Sequence, residues 1–167
     1  MEIDQGIGIV EKQEELLQFT HFNRADVWKL GKELVTKIQA EGLGLSVSIR
    51  RNDGFILFQY CAEGTTTNNE YWMTKKFNTV HEFEVSSLLN TLRMKRGNQT
   101  LESRGLDPNV YAWGGGGFPI RLKGTGLIGV AMASGLPDLQ DHDVLVECIS
   151  RHLKARDVPH LPLDSKF

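Results

Sequence analysis

Residues 117–134 read Gly117-Phe118-Pro119-Ile120-Arg121-Leu122-Lys123-Gly124-Thr125-Gly126-Leu127-Ile128-Gly129-Val130-Ala131-Met132-Ala133-Ser134, and two folds compete for them. Gly124, Gly126 and Gly129 match GxGxxG, and Glu147 lies near the distance expected of a ribose-binding acid. A dinucleotide fingerprint needs a strand before it and a helix N-terminus after it, so that backbone dipoles meet the pyrophosphate. Here Leu127–Met132 continues as strand. The glycines therefore turn one strand into another, which predicts a hairpin: Gly117–Leu122, a turn at Lys123–Gly126, then Leu127–Ser134. Gly135 and Pro137 close it.

A second hairpin lies upstream. Leu45, Val47 and Ile49 alternate with Ser46, Ser48 and Arg50, the period of a strand with one buried face. Asn52-Asp53-Gly54 supplies the positive-φ positions of a tight turn, and Phe55–Cys61 returns. Helices surround the hairpins. Val27, Leu30, Leu34, Val35 and Ile38 define a helix over 24–41, capped by Asn23 and stopped at Gly42, with Gly31 allowing close approach. A shorter helix is expected at Glu11–Phe19. Another spans about Asn68–Phe83, with Tyr71, Trp72 and Phe77 apolar and Lys75 and Lys76 solvated. Ser86 or Ser87 caps a further helix that runs through Leu88, Leu89 and Leu92 to Arg96. Residues 98–113 read as irregular. A last amphipathic helix, Asp141–Lys154, buries Val144, Leu145, Cys148, Ile149 and Leu153. Hairpins cannot make the crossovers of a parallel sheet, so this order predicts an α+β fold, an antiparallel sheet flanked by helices.

The 167 residues form no repeat and no linker, which predicts one domain over 1–167 with an extended tail at 155–167, where Pro159 and Pro162 exclude regular helix. Nineteen basic against twenty-one acidic residues give a net charge of −2, no basis for binding nucleic acid or an anionic membrane. No apolar run reaches membrane-spanning length. The start, Met1-Glu2-Ile3-Asp4, is acidic where a secretory signal is basic. Cys61 and Cys148 each lie in a mostly apolar stretch with no partner at CxxC spacing and read as buried thiols in a reducing, cytoplasmic setting.

Few residues carry obvious chemistry. Gly114-Gly115-Gly116-Gly117 costs conformational entropy to order, and either a backbone nest for an anion or close chain packing beside Trp113 and Phe118 offsets it. No Gly-Lys-Ser/Thr follows, so it is not a P-loop. Asp141-His142-Asp143 offers an acid–base pair, but neighbours on a helix diverge, and acids at a helix start complement its dipole. His21, His81, His152 and His160 lack metal spacing. Ser86, Ser87 and Ser134 sit in no nucleophile motif and suit capping and turns. Arg93, Lys95 and Arg96 complement a helix C-terminus.

Together, Tyr111-Ala112-Trp113-Gly114-Gly115-Gly116-Gly117-Phe118-Pro119-Ile120, the Gly124/Gly126/Gly129 turn, Ser134-Gly135-Leu136-Pro137 and Asp141-His142 resemble the haem-degrading domain family. Within that family the residues most resemble the protein family 0303 group, which has glycolate-operon and haem-binding sensor relatives. Asp26-x-x-x-Leu30-Gly31, Asn69-x-x-Trp72, Lys75-Lys76-x-Asn78-Thr79-Val80 and Phe83-x-x-Ser86-Ser87 extend the resemblance over about residues 15–155. It implies a profilin-like fold, homo-oligomeric assembly, and haem binding with slow haem breakdown. Two positions depart. Gly114 stands where many members carry His, and Glu84-Val85 where many carry a His or basic residue. Iron wants an imidazole, thiolate, thioether or phenolate, so Tyr111, His81 and His142 are the ligands left for haem.

These readings converge on a cytoplasmic homo-oligomer that binds a small anionic or tetrapyrrole ligand, as a binding module or sensor. The pocket is expected between Gly114–Pro119, the Ser86-Ser87 helix start and the Ser134–His142 segment. Amides of Gly115, Gly116 and Gly117 with the hydroxyls of Ser86 and Ser87 would hold the anion, and Tyr111, Trp113 and Phe118 the apolar wall. No metal site is expected. A haem-degrading enzyme and a ligand-free structural oligomer are the alternatives.

Overall fold

The computed structural model describes all 167 residues. Four strands, β1 (Ser46–Arg51), β2 (Ile56–Cys61), β3 (Gly117–Leu122) and β4 (Gly126–Ser134), form one antiparallel sheet in the order β2-β1-β4-β3. Both predicted hairpins are present, and β1 pairs with β4 to join them. Pro119 pairs with Val130 in β3, an edge strand, where its missing N–H costs no ladder bond.

Helices cover both faces. α2 (Arg24–Glu41) and α5 (Asp138–Leu153) lie on one, and α3 (Thr67–Phe83) on the other. The main core joins Leu30, Leu34 and Ile38 of α2 to Val47 and Ile49 of β1, Phe118 and Ile120 of β3, and Leu145 and Ile149 of α5. Met73, Phe77 and Val80 of α3 pack on Val130 and Met132 behind the sheet. Gly31 lets α2 close on the sheet, since a Cβ there would stand 2.6 Å from the Phe58 ring. The Asn23 cap and the left-handed Gly42 stop form as the sequence indicates.

Five expectations are revised, beginning with the thiols: Cys148 is buried, but Cys61, at the end of the edge strand β2, is exposed. The first helix, α1, runs from Ile3 to Leu16 rather than over 11–19. Gly6 and Gly8 mask it in the sequence, yet Ile7 and Val10 bury against Leu88, Leu89 and Leu92 of α4 (Ser87–Arg96), and packing outweighs propensity. Phe19 lies outside α1 and bridges to Leu122. β1 is buried on both faces, because α3 covers the side bearing Ser46, Ser48 and Arg50. The Arg50 guanidinium is held there by Glu70 at 2.6 Å and Thr74 at 3.0 Å. α5 begins at Asp138, three residues early, with the Pro137 carbonyl accepting from the amides of Gln140 and Asp141. Residues 155–167 carry no helix or strand but dock: Leu161 enters the α1–α4 cluster, and the Pro159 carbonyl accepts from Gln13 Nε2.

Candidate functional site

The four glycines form the knot at which α3, α4, α5 and β4 meet. The Gly114 amide donates to Thr91 Oγ1 at 2.8 Å and the Gly117 amide to Ser87 Oγ at 3.0 Å. The Gly116 carbonyl accepts from the Ala133 amide. Side chains are excluded by contact. A Cβ on Gly115 would fall 2.3 Å from the Asp138 carbonyl oxygen, and one on Gly116 2.5 Å from both the Ala133 carbonyl oxygen and Lys76 Nζ. Gly116 also has φ +106°, where L residues are strained.

That packing redistributes the residues singled out from sequence. Ser86 is sealed at 0% exposure, its hydroxyl capping α4 through the Leu89 amide and its own amide bound by Glu14. Ser87 is equally sealed, its hydroxyl spent on Gly117. The anion cradle expected from these hydroxyls and glycyl amides is therefore not formed: the Leu89 amide takes Ser86 Oγ and the Gly117 amide takes Ser87 Oγ, while the buried Gly115 and Gly116 amides donate to no group of the chain. His142 is 1% exposed, with Nε2 2.8 Å from Gln13 Oε1 and its ring tilted on Phe118. Burial pushes its imidazolium pKa down to about 3. Nδ1 has no partner. Phe118 and Pro119 are buried in the sheet. Tyr111 is half-buried with its hydroxyl 3.5 Å from Glu82, and Gly114 backs a separate recess beside α4 and the C-terminal segment.

Trp113 and Ser134 do come together, on a cleft of about 290 Å³. Its walls are Asn68, Asn69, Trp72 and Lys76 from α3, the Ser134–Leu136 end of β4, and Asp138 and Asp141 from α5. Asn69 Nδ2 donates to the Ser134 carbonyl at 3.1 Å and ties α3 to the strand end. Lys75 Nζ sits 4.4 Å from the Trp72 ring centre, and Lys95 Nζ 5.8 Å from that of Trp113, so each indole carries a cation on its face.

At the base lies an ion pair that the sequence reading missed. Lys76, expected in solvent, is buried, and its Nζ donates to Asp141 Oδ2 at 2.8 Å and to the Ala133 carbonyl at 2.7 Å. Asp141 Oδ1 accepts from the Leu136 amide at 2.9 Å. Burial raises the Asp141 carboxyl pKa against the opposing pull of Lys76. A signal was available. Met73, Lys76, Phe77 and Val80 fall at i, i+3, i+4 and i+7, so Lys76 belongs to the buried stripe of α3; Asp141 stands likewise with Val144, Leu145 and Cys148.

An ammonium has three donors, and Lys76 spends two on the protein. The third can serve a ligand oxygen. Haem fits the cleft poorly: its walls offer no imidazole, thiolate, thioether or phenolate to iron. His81 is exposed on α3, stacked on Phe77, and neither it nor Tyr111 lines the cleft.

The family model for "Haem degrading protein HbpS-like" matches residues 22–150. The chain belongs to the HbpS-like family. A UPF0303 protein of Paraburkholderia phymatum is 40% identical over 154 residues, covering 92% of this chain and 93% of its own. The UPF0303 protein RHE_CH02903 of Rhizobium etli is 36% identical and covers 98% of each chain. This HbpS-like chain thus also falls within the UPF0303 group. Among solved structures, Ybr137w superposes with a TM-score of 0.82 at 22% identity, over 89% of this chain and 88% of that one. A structure titled PduOC:Heme Complex superposes with a TM-score of 0.65 at 19% identity, over 80% and 96%. These likenesses bear on the fold, the α+β sheet flanked by helices. In this member of the family, α1 and residues 155–167 lie outside the matched span, whereas Lys76, Trp113 and Asp141 lie inside it.

Proposed function

We propose that this HbpS-like protein is a small-ligand-binding or sensor domain, cytoplasmic and self-associating, whose site is the cleft between α3, Trp113 and the start of α5. The observation that carries the reading is the buried Lys76 ammonium, paired on two sides and one donor short, at the base of a cleft flanked by two indoles. Water occupies roughly 30 Å³ in the liquid. A cleft of about 290 Å³ therefore suits a compact molecule with a carboxylate or carbonyl oxygen for Lys76 and a flat face for Trp72 or Trp113. Asn68, Asn69 and Ser134 add polar specificity. No helix of the chain is long and apolar enough to cross a membrane.

Tryptophan fluorescence titrated with small aromatic carboxylates, benzoate and nicotinate first, tests this. The expected result is a saturable change that is weakened at least tenfold by Lys76→Met or Trp113→Ala, while Trp28→Phe, remote from the cleft, leaves it intact. A flat response across the carboxylates, or one indifferent to Trp113→Ala, overturns it. The family's haem activity supplies the second outcome. A one-site Soret shift abolished by His81→Ala or Tyr111→Phe would put a tetrapyrrole on a surface outside the cleft and replace the proposal.

A further inference from the structure

The two edges of the sheet are treated differently. The β3 edge is occupied: the Phe19 amide donates to the Arg121 carbonyl at 2.8 Å, the Lys123 amide donates to the Phe19 carbonyl at 2.9 Å, and Pro119 removes a donor. The β2 edge has no such cover. Ile56-Leu57-Phe58-Gln59-Tyr60-Cys61 contains no proline and no charge, although charge and proline are the usual means of protecting an edge. Its one irregularity is an extra residue, Leu57, between the Phe58–Ile49 and Ile56–Arg50 pairs, which leaves Phe58–Cys61 as the straight stretch. The Ala62 amide points to Leu45 across β1, so the alternation of the ladder turns the backbone groups of Gln59 and Cys61 outward.

The surroundings are apolar and leave one unpaired charge, of opposite sign, at each end. Trp28, Phe55 and Ile56 are 61%, 53% and 45% exposed, and Trp28 meets the Phe58 ring edge-on at 6.3 Å. At the hairpin end, the Arg24 and Arg51 guanidinium groups lie 5.6 and 4.9 Å from the centre of the Phe55 ring. Arg51 is already paired with Asp53 of its own hairpin, whereas Arg24 makes no ion pair within the chain and carries the free positive charge of this end. At the other end of the strand stands Glu63, exposed and equally without an ion pair.

We infer that β2 is a self-association edge whose occupant is β2 of a second copy, paired antiparallel about Tyr60. Only an antiparallel two-fold arrangement sets Gln59 opposite Cys61 in both directions, keeps opposed side chains on the same face, and continues the sheet from one copy to the next. The same two-fold brings the Glu63 end of each copy to the Arg24–Phe55–Arg51 end of the other, so both charged ends are complemented at once. A different partner strand could satisfy the backbone, but the charges complement each other only when the chain meets itself.

Light scattering after size exclusion tests the edge. The wild type is expected at an even multiple of the 18.8 kDa chain. Glu63→Arg sets like charges together and is expected to halve the mass, and adding Arg24→Glu is expected to restore it. Cys61→Pro, which removes an outward donor and spares the β1 ladder, is expected to halve it too, with an unchanged far-ultraviolet spectrum. A monomeric wild type, or an assembly unmoved by Glu63→Arg, overturns the inference. The inference adds the surface to the self-association proposed above, and benzoate titration of the Glu63→Arg variant keeps the two readings apart, because the cleft is built from one chain and its response is expected to persist.

Discussion

Asp141 and His142 are consecutive residues on the first turns of α5, both almost fully buried, and their surroundings have little in common. Asp141 turns toward the cleft, where an ammonium and a backbone amide meet its two oxygens. His142 turns toward α1, where a neutral amide meets one ring nitrogen and nothing meets the other. A charge survives burial on the side that supplies an opposite charge and an opening. On the sealed side the titratable group stays neutral instead. The difference separates a place that can receive a ligand from one that only holds two helices together.

The most damaging way to break the comparison is to orphan the charge. Asp141→Ala leaves the Lys76 ammonium buried without its counter-ion and is expected to cost about 3–5 kcal/mol in denaturant unfolding. Lys76→Met with Asp141→Leu is expected to recover most of that loss, since the desolvation of both charges disappears. Recovery stays incomplete because the Ala133 carbonyl and the Leu136 amide lose their partners. If the double variant is as unstable as Asp141→Ala, the pair is not the source of the cost.

Gly116 tests the packing between the two sides. Gly116→Ala pairs a strained φ of +106° with contacts to the Ala133 carbonyl and Lys76 Nζ, and is expected to cost about 2–4 kcal/mol. Gly124→Ala, with positive φ and open space around it, should cost only the strain, about 1–2 kcal/mol. Equal losses would show that close approach plays no part at Gly116.

The sealed side is best separated by pH. The native His142 titrates near pH 3, well below the ordinary histidine value of 6.5. Between those values the unfolded chain binds a proton that the folded chain refuses. The neutral ring's contribution is whole above pH 6.5 and is lost as pH falls, by about 1.4 kcal/mol per pH unit. His152, also lowered by burial, acts in the same direction. His142→Gln is therefore expected to flatten, without abolishing, the fall in unfolding free energy between pH 6.5 and 4.5. An unchanged slope would mean that the ring is already protonated in the folded protein.

How much of this could be read from the chain alone follows the same division. The hairpins were legible because alternation and glycine turns are local signals. The Asn23 cap and Gly42 stop were legible for the same reason. α1 was half-lost because Gly6 owes its place to Phe167, far away in sequence. Ser86 and Ser87 were recognised as cap residues, but nothing local reveals that their neighbours would enclose them. Lys76 and Asp141 are 65 residues apart, and judged by residue type the first looked like a solvated charge and the second like an acid complementing a helix dipole. Judged by position on the helix, each sits in an apolar stripe, where a charge needs a partner. Trp113 and Ser134 were placed on the site, whereas Asn69 and Trp72 stood out only as a motif of the family resemblance and were not assigned to it.

Lys75 and Lys76 offer the mildest and most direct check of that rule, because they are the same residue type on adjacent positions of one helix. A step of one residue rotates about a quarter turn, enough to carry Lys75 out of the Met73–Phe77–Val80 stripe and onto the face of Trp72. There its stem covers the indole, and its head remains within reach of water. Lys75→Met keeps the stem and removes the charge, so it is expected to cost less than about 1 kcal/mol, the worth of an exposed cation–π contact. Lys76→Met removes a cation of the same kind and leaves a carboxylate buried without it, a loss several times larger. Paired unfolding curves decide the matter. Similar costs for the two lysines would mean that Lys76 is in contact with water, and the charge at the base of the cleft would then have no special claim on a ligand.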